Sequence, residues 1–266
     1  MFEGMRSGTR ESIVRAVWSV PKLLRHPVWG GADRGHGKGL GVVLAPGFGV
    51  GDMSLLPVAS WLRARGYLPT SAGLGFTVGC TTDLLAKLLR NTEEHAERTG
   101  RPVVLLGQSR GGWLGRLAAA RRPDLVHGLV MMGSPVLDPM GVRPSLMRSV
   151  RFLTRLAAAG VPGLLDDDCL RGPCFDEHIK ALAEPLRVPA ISIFSRSDGV
   201  VPWELCQDPC AECVEVRSTH TSMGFDPDVY EVLRLRLAAW AQEIGTIRAS
   251  SRTPSATSSS PIVPCG

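Results

Sequence analysis

Short runs of almost purely apolar residues recur along this chain, separated by segments with helical spacing. The clearest are Gly41–Ala45, Pro102–Leu106, Gly128–Met132 and Val188–Phe194. A strand that is apolar at every position has no face to offer water. It must be covered on both sides, as the inner strands of a mostly parallel sheet are, whereas a half-exposed antiparallel strand alternates. The intervening segments supply the cover. Leu55–Arg65 carries apolar residues at helical spacing and stops at Gly66. Thr82–Thr99 begins with a threonine cap and an early Asp83 and stops at Gly100. Trp113–Arg121 and Asp228–Ile244 read as two further helices, and Tyr67–Gly73 and Cys213–Arg217 as two weaker strands. The expected class is α/β, with a mostly parallel central sheet and helices on both faces.

The alternation breaks once, over Pro139–Leu186. This stretch holds a helical segment (Leu146–Ala159), the acidic run Asp166-Asp-Asp168, and Cys169 and Cys174. It reads as a helical cap insertion, 139–186, over one edge of the sheet. Within it Leu146, Phe152, Leu153, Leu156 and Leu164 suggest either an apolar pocket or the cap's own small core. Residues 10–24 form an amphipathic helix with Ile13, Val14, Val17 and Trp18 on one face. Packing on the domain is the favoured reading of that helix, and lying on a lipid surface the other. Residues 249–266 are Ser/Thr/Pro-rich and read as a disordered tail, leaving 1–248 as a single domain.

The formal net charge of +5 is spread over scattered arginines, with no basic block interleaved with aromatics. Nucleic acid is therefore not an expected partner, while weak attraction to an anionic membrane surface stays compatible with the charge. No secretory signal and no apolar run of membrane-spanning length stand out, so the expected location is cytoplasmic, peripheral to the membrane if the first helix lies on lipid. There are seven cysteines. Cys206, Cys210 and Cys213 lie close in sequence and Cys169 with Cys174 could supply a second pair, but the two groups are far apart with an apolar strand between them, so no metal and no cofactor are expected. A disulfide between Cys169 and Cys174 stays open for an oxidising compartment.

Chemistry enters at Gly107-Gln108-Ser109-Arg110-Gly111. The pattern G-x-S-x-G is short, and its meaning comes from its place between an apolar strand and a helix. A sharp turn there lifts Ser109 Oγ above the sheet at a helix N-terminus, where negative charge is favoured. A serine nucleophile needs a base. Of six histidines, His26 and His36 precede the first clear strand, and His95 lies on the polar side of the Thr82 helix. His127 is at the wrong end of its strand, and His178 is in the cap. His220 follows the last strand and so shares the sheet edge with Ser109. A plain surface-loop histidine remains the alternative, because the strand order that places it is itself inferred. The imidazole needs a carboxylate on its other nitrogen. Asp198 follows the Val188–Phe194 strand and is favoured over Asp138, which follows the strand before, because Ser109, Asp198, His220 is then the chain order. Two backbone donors complete the set: the N–H of Arg110, and that of Phe48 in Pro46-Gly-Phe-Gly-Val-Gly51. That loop lacks the Lys-Ser/Thr of a nucleotide-binding loop.

These segments, with Gly133-Ser-Pro135, Ser195-Arg-Ser-Asp-Gly-Val-Val-Pro202 and Ser218-Thr-His-Thr-Ser-Met-Gly224, resemble lipase- and esterase-like members of the α/β-hydrolase superfamily, notably those of high-GC bacteria. The resemblance runs from about Gly41 to Ile244. It implies an α/β-hydrolase fold and a carboxylic-ester hydrolase using a Ser-His-Asp triad, and does not fix the ester; the apolar cap residues suggest a small-molecule ester that is lipophilic, with an acyl pocket in the cap. A Pro-Gly pair stands where many lipases have His-Gly, and Gln108 where histidine is frequent. An acyltransferase on the same triad and a non-catalytic binding protein are the competing readings.

Overall fold

The computed structural model describes residues 19–31 and 35–250. Six strands form one sheet: β1 (Gly41–Ala45), β2 (Leu68–Ser71), β3 (Val103–Gln108), β4 (Val126–Met132), β5 (Ala190–Phe194) and β6 (Glu212–Glu215). Their spatial order is β2-β1-β3-β4-β5-β6, and every pairing is parallel. β1, β3 and β5 are buried almost throughout, as their apolar sequences require, while the edge strands β2 and β6 are largely open to solvent.

Residues 19–25 are helical and constitute α1. The other helices are α2 (Pro27–Gly30), α3 (Leu56–Ala64), α4 (Thr81–Thr99), α5 (Arg110–Arg121), α6 (Pro144–Ala158), α7 (Asp168–Arg171), α8 (Pro173–Leu182) and α9 (Pro227–Ser250). The two faces of the sheet sort by parity along each strand. Val104 and Leu106 of β3 join Val42 and Leu44 of β1 in a core with Trp61 of α3 and Tyr230 and Leu233 of α9. Val103 and Leu105 join Val43 in a second core with Leu85 and Leu88 of α4 and Leu114 and Leu117 of α5. Between β4 and β5 the chain leaves the sheet for α6, α7 and α8, over the stretch read from the sequence as a cap.

Several boundaries differ from the sequence reading. α5 begins at Arg110, directly after Ser109, because the turn feeds straight into the helix. α4 begins at Thr81 after Cys80, with no side-chain cap, so Thr82 is inside the helix. α9 runs to Ser250, past the expected end of the domain at 248; residues 251–266 lie outside the described residues, as do residues 10–18 of the amphipathic helix. His95 is not on a polar side: it is buried, with Nε2 2.7 Å from the Leu68 carbonyl of β2. Among the described residues no helix is long and apolar enough to cross a membrane.

Candidate active site

Strand order alone locates a crevice. The chain leaves β1 toward β2 on one side and β3 toward β4 on the other, so the loops after β1 and β3 part at their C-terminal ends. The loop 46–51 and Ser109 occupy that point. Ser109 has φ 53° and ψ −120°, a positive φ that few non-glycine residues hold. Its N–H donates to the Met132 carbonyl at 2.8 Å, which ties the turn to β4. The turn is possible because of Gly111: a Cβ there would lie 2.1 Å from the Ala45 carbonyl oxygen of β1.

The loops after β5 and β6 bring Asp198 and His220 together. Asp198 Oδ2 is 2.7 Å from His220 Nδ1, and both side chains are nearly buried. Asp198 Oδ1 accepts from the N–H groups of Val200 and Val201, each at 2.8 Å, so the carboxylate cannot turn. Ser195 Oγ accepts from the N–H groups of Ser197 and Ser218, which joins the acid's loop to the base's loop. His220 opens a helical turn, His220–Phe225, capped by Thr219 and Ser222 and held from beneath by the Tyr230 hydroxyl on the Gly224 carbonyl at 2.8 Å. Gly133 makes room for the pair, since a Cβ there would lie 3.2 Å from both Asp198 Oδ2 and His220 Nδ1. Asp138 is elsewhere and exposed, with Oδ1 capping the Met140 N–H.

Gln108 was read from the sequence as a tolerated variant. In the fold its Nε2 donates to the His220 carbonyl at 2.8 Å, so the residue before Ser109 holds the histidine's backbone against the serine turn. The Arg110 side chain was likewise not anticipated. It lies buried beneath the turn and donates to the carbonyls of Thr77 and Gly79 and to Thr81 Oγ1. Burial pushes its guanidinium down to about 10, still a cation at neutral pH. Its Cζ lies 5.7 Å from the centroid of the Phe48 ring and 5.8 Å from that of Trp113, within cation–π range.

Among the described residues, two backbone N–H groups beside Ser109 have no acceptor. The Arg110 N–H is the first of α5 and has no intrahelical acceptor. The Phe48 N–H donates to no described residue. Gly47 brings that loop alongside the serine, for a Cβ on it would lie 3.3 Å from Ser109 Cβ.

Ser109 opens into an apolar cavity of about 40 Å³ lined by Phe48, Trp113, Leu146, Met147, Val150 and Leu165, among others. Of the five cap residues singled out in the sequence only Leu146 lines it. Phe152 is 58% exposed, and Leu153 packs within the cap. Cys169 and Cys174 are both free thiols, and Cys80 joins them. Cys206, Cys210 and Cys213 do not assemble as a ligand set: Cys206 is buried beside Phe194 and Val201, while Cys213 is exposed.

The fold is shared with solved structures of low sequence identity. A lipolytic enzyme of the metagenome-derived pair LipS and LipT is 21% identical with a TM-score of 0.56, over 77% of this chain and 94% of that one. The mature lipase BlEst2 of Bacillus licheniformis is 16% identical with a TM-score of 0.57, over 74% and 91%. A non-heme bromoperoxidase, BpoC of Mycobacterium tuberculosis, is also similar, at 17% identity and a TM-score of 0.52 over 76% and 93%, so the likeness carries the fold and not an activity. No curated protein sequence matches the chain. The model of the alpha/beta hydrolase family matches residues 42–251, and the protein belongs to that family.

Proposed function

We propose that this protein is a serine hydrolase that cleaves carboxylic esters through an acyl-enzyme on Ser109. The observation that carries the reading is the Asp198–His220 pair, at 2.7 Å, set at the same sheet edge as the strained Ser109 turn and tied to it through Gln108. Ser109 Oγ attacks the ester carbonyl carbon while His220 Nε2 takes its proton. Asp198 holds Nδ1–H and stabilises the imidazolium. The N–H groups of Phe48 and Arg110 receive the oxyanion. The C–O bond breaks as His220 returns the proton to the leaving alcohol, and water then repeats the sequence to release the acid.

The apolar lining points to the acyl side of the ester. The side chains of Phe48, Trp113, Leu146, Met147, Val150 and Leu165 would meet an acyl chain with apolar surface. Each buried methylene contributes about 0.8 kcal/mol, near fourfold in kcat/KM. The test is kcat/KM for p-nitrophenyl esters from acetyl to dodecanoyl, each below its micelle concentration, with the partition to an added alcohol followed in parallel. The expected profile rises by up to about fourfold per added carbon until the cavity is full and then levels, with water as the acceptor. A profile that falls from acetyl onward would remove the cavity from acyl recognition. Absence of turnover on every ester would overturn the reaction class.

A further inference from the structure

Three cysteines from three separate elements converge at the seam between the cap and the sheet domain. Cys80 precedes α4, Cys169 is in α7 and Cys174 is in α8. Their sulfurs all lie within 4.8 Å of one another, with Cys80 Sγ and Cys174 Sγ 4.0 Å apart. We propose that this cluster is a three-thiolate site for a thiophilic d¹⁰ cation, zinc(II), that straps the cap to the domain beside the Ser109 cavity.

The spacing is that of ligands around one ion. Zinc–sulfur bonds of about 2.3 Å place neighbouring sulfurs about 3.8 Å apart in a tetrahedron and about 4.0 Å apart in a trigonal plane. A disulfide would use two sulfurs and strand the third. The donor set is soft and free of oxygen, which suits zinc or copper(I) and not magnesium or calcium.

Charge distinguishes between the two soft ions. The buried Arg110 cation forms no ion pair with a carboxylate among the described residues, and its Nε has no partner. It donates to the Gly79 carbonyl and the Thr81 hydroxyl, the residues on either side of Cys80, and lines the same cavity as Cys169. Zinc binding to three thiols releases three protons and leaves a net charge of −1, which one guanidinium balances. Copper(I) would leave −2.

The surroundings are organised around the sulfurs. The acidic run from the sequence finds a use here: Asp166 Oδ1 accepts from the Cys169 N–H at 3.1 Å, and Asp168 Oδ1 from the Cys174 N–H at 3.3 Å. Thr82 Oγ1 stands 3.4 Å from Cys174 Sγ and 3.1 Å from His178 Nε2. A chain from His178 N–H to the Thr82 hydroxyl to the thiolate is the kind of outer hydrogen bonding that fixes metal ligands. His178 is 2% exposed, and its Nδ1 has no partner among the described residues. Cys169 also lines the cavity that Ser109 opens into, so an ion here fixes one wall of it.

The full chain, reduced and stripped of metal under anaerobic conditions, is titrated with cobalt(II) and then zinc(II). The expected result is thiolate-to-cobalt charge-transfer absorption saturating at one equivalent and bleached by one equivalent of zinc. Cys174→Ser and Cys80→Ser should each weaken binding by more than about 100-fold, beyond the loss of an outer partner, while Cys213→Ser leaves it unchanged. Zinc should also slow hydrogen exchange in α7 and α8. No charge-transfer band from the wild-type chain, or a band that survives both Cys174→Ser and Cys80→Ser, would overturn the site. Unchanged exchange in α7 and α8 would overturn the strap. Neither readout involves ester turnover, so they stand or fall apart from the assignment of Ser109.

Discussion

Ser109 is held at a positive φ that costs of order 1–3 kcal/mol, and the surroundings over-determine it. Its N–H is fixed on β4, and Gly111 allows the turn to press against β1. The role of Asp198 can be tested at the level of single atoms. Its Oδ1 faces two N–H donors, so an asparagine must keep its oxygen there and turn its NH₂ toward His220 Nδ1. The imidazole is then forced to carry its proton on Nε2 and cannot accept one from serine. Asp198→Asn should lower kcat on a short-chain ester by about 10⁴, and Asp138→Asn should change it less than threefold or so, as expected of an exposed turn residue. If Asp138→Asn proved the more damaging, the carboxylate would have to be reassigned. That Ser109, Asp198 and His220 lie at one sheet edge could be read from the sequence, because each follows a strand of one parallel sheet. Gln108 and the Arg110 side chain could not, since their partners, the His220 carbonyl and the 77–81 loop, are distant in sequence and leave no local pattern.

Among the elements, α4 shows where pattern reading loses information. Leu84, Leu88, Thr92 and His95 follow helical spacing and are all buried, but the last two are polar and hide the continuation of the stripe. His95 Nε2–H donates to the Leu68 carbonyl, while Nδ1 accepts from Arg98 at 3.2 Å, an arrangement open only to the neutral ring. Burial lowers its pKa from 6.5, and burial also lowers those of His127 and His178. The unfolded chain then binds more protons than the folded one below pH 6.5 or so, and stability there falls as the pH is lowered and is flat above. Each such histidine contributes a slope of at most about 1.4 kcal/mol per pH unit. Urea midpoints between pH 7.5 and 5.5 should therefore decline on the acid side, and His95→Gln, which keeps a donor for Leu68 but cannot titrate, should reduce that slope. A midpoint that rises toward pH 5.5 would contradict the assignment of neutral histidines.

For the molecule as a whole, the fully apolar strands made the parallel sheet legible, because burial on both faces leaves few other architectures. The cavity wall was less so. An amphipathic helix such as α6 shows which residues avoid water, but whether a given stripe meets the cavity or the neighbouring helix depends on how the cap is set down. Leu146 therefore reaches the cavity, Leu153 packs inside the cap and Phe152 faces solvent. The central claim, that this fold displays one activated serine, is tested most directly by fluorophosphonate labelling of the wild-type chain and of Ser109→Ala, with ester turnover followed on the same samples. The account predicts one label per wild-type chain, none on a Ser109→Ala protein of unchanged circular dichroism, and turnover reduced by at least about 10⁴. Labelling of the folded Ser109→Ala protein, or turnover at the wild-type rate, would contradict it.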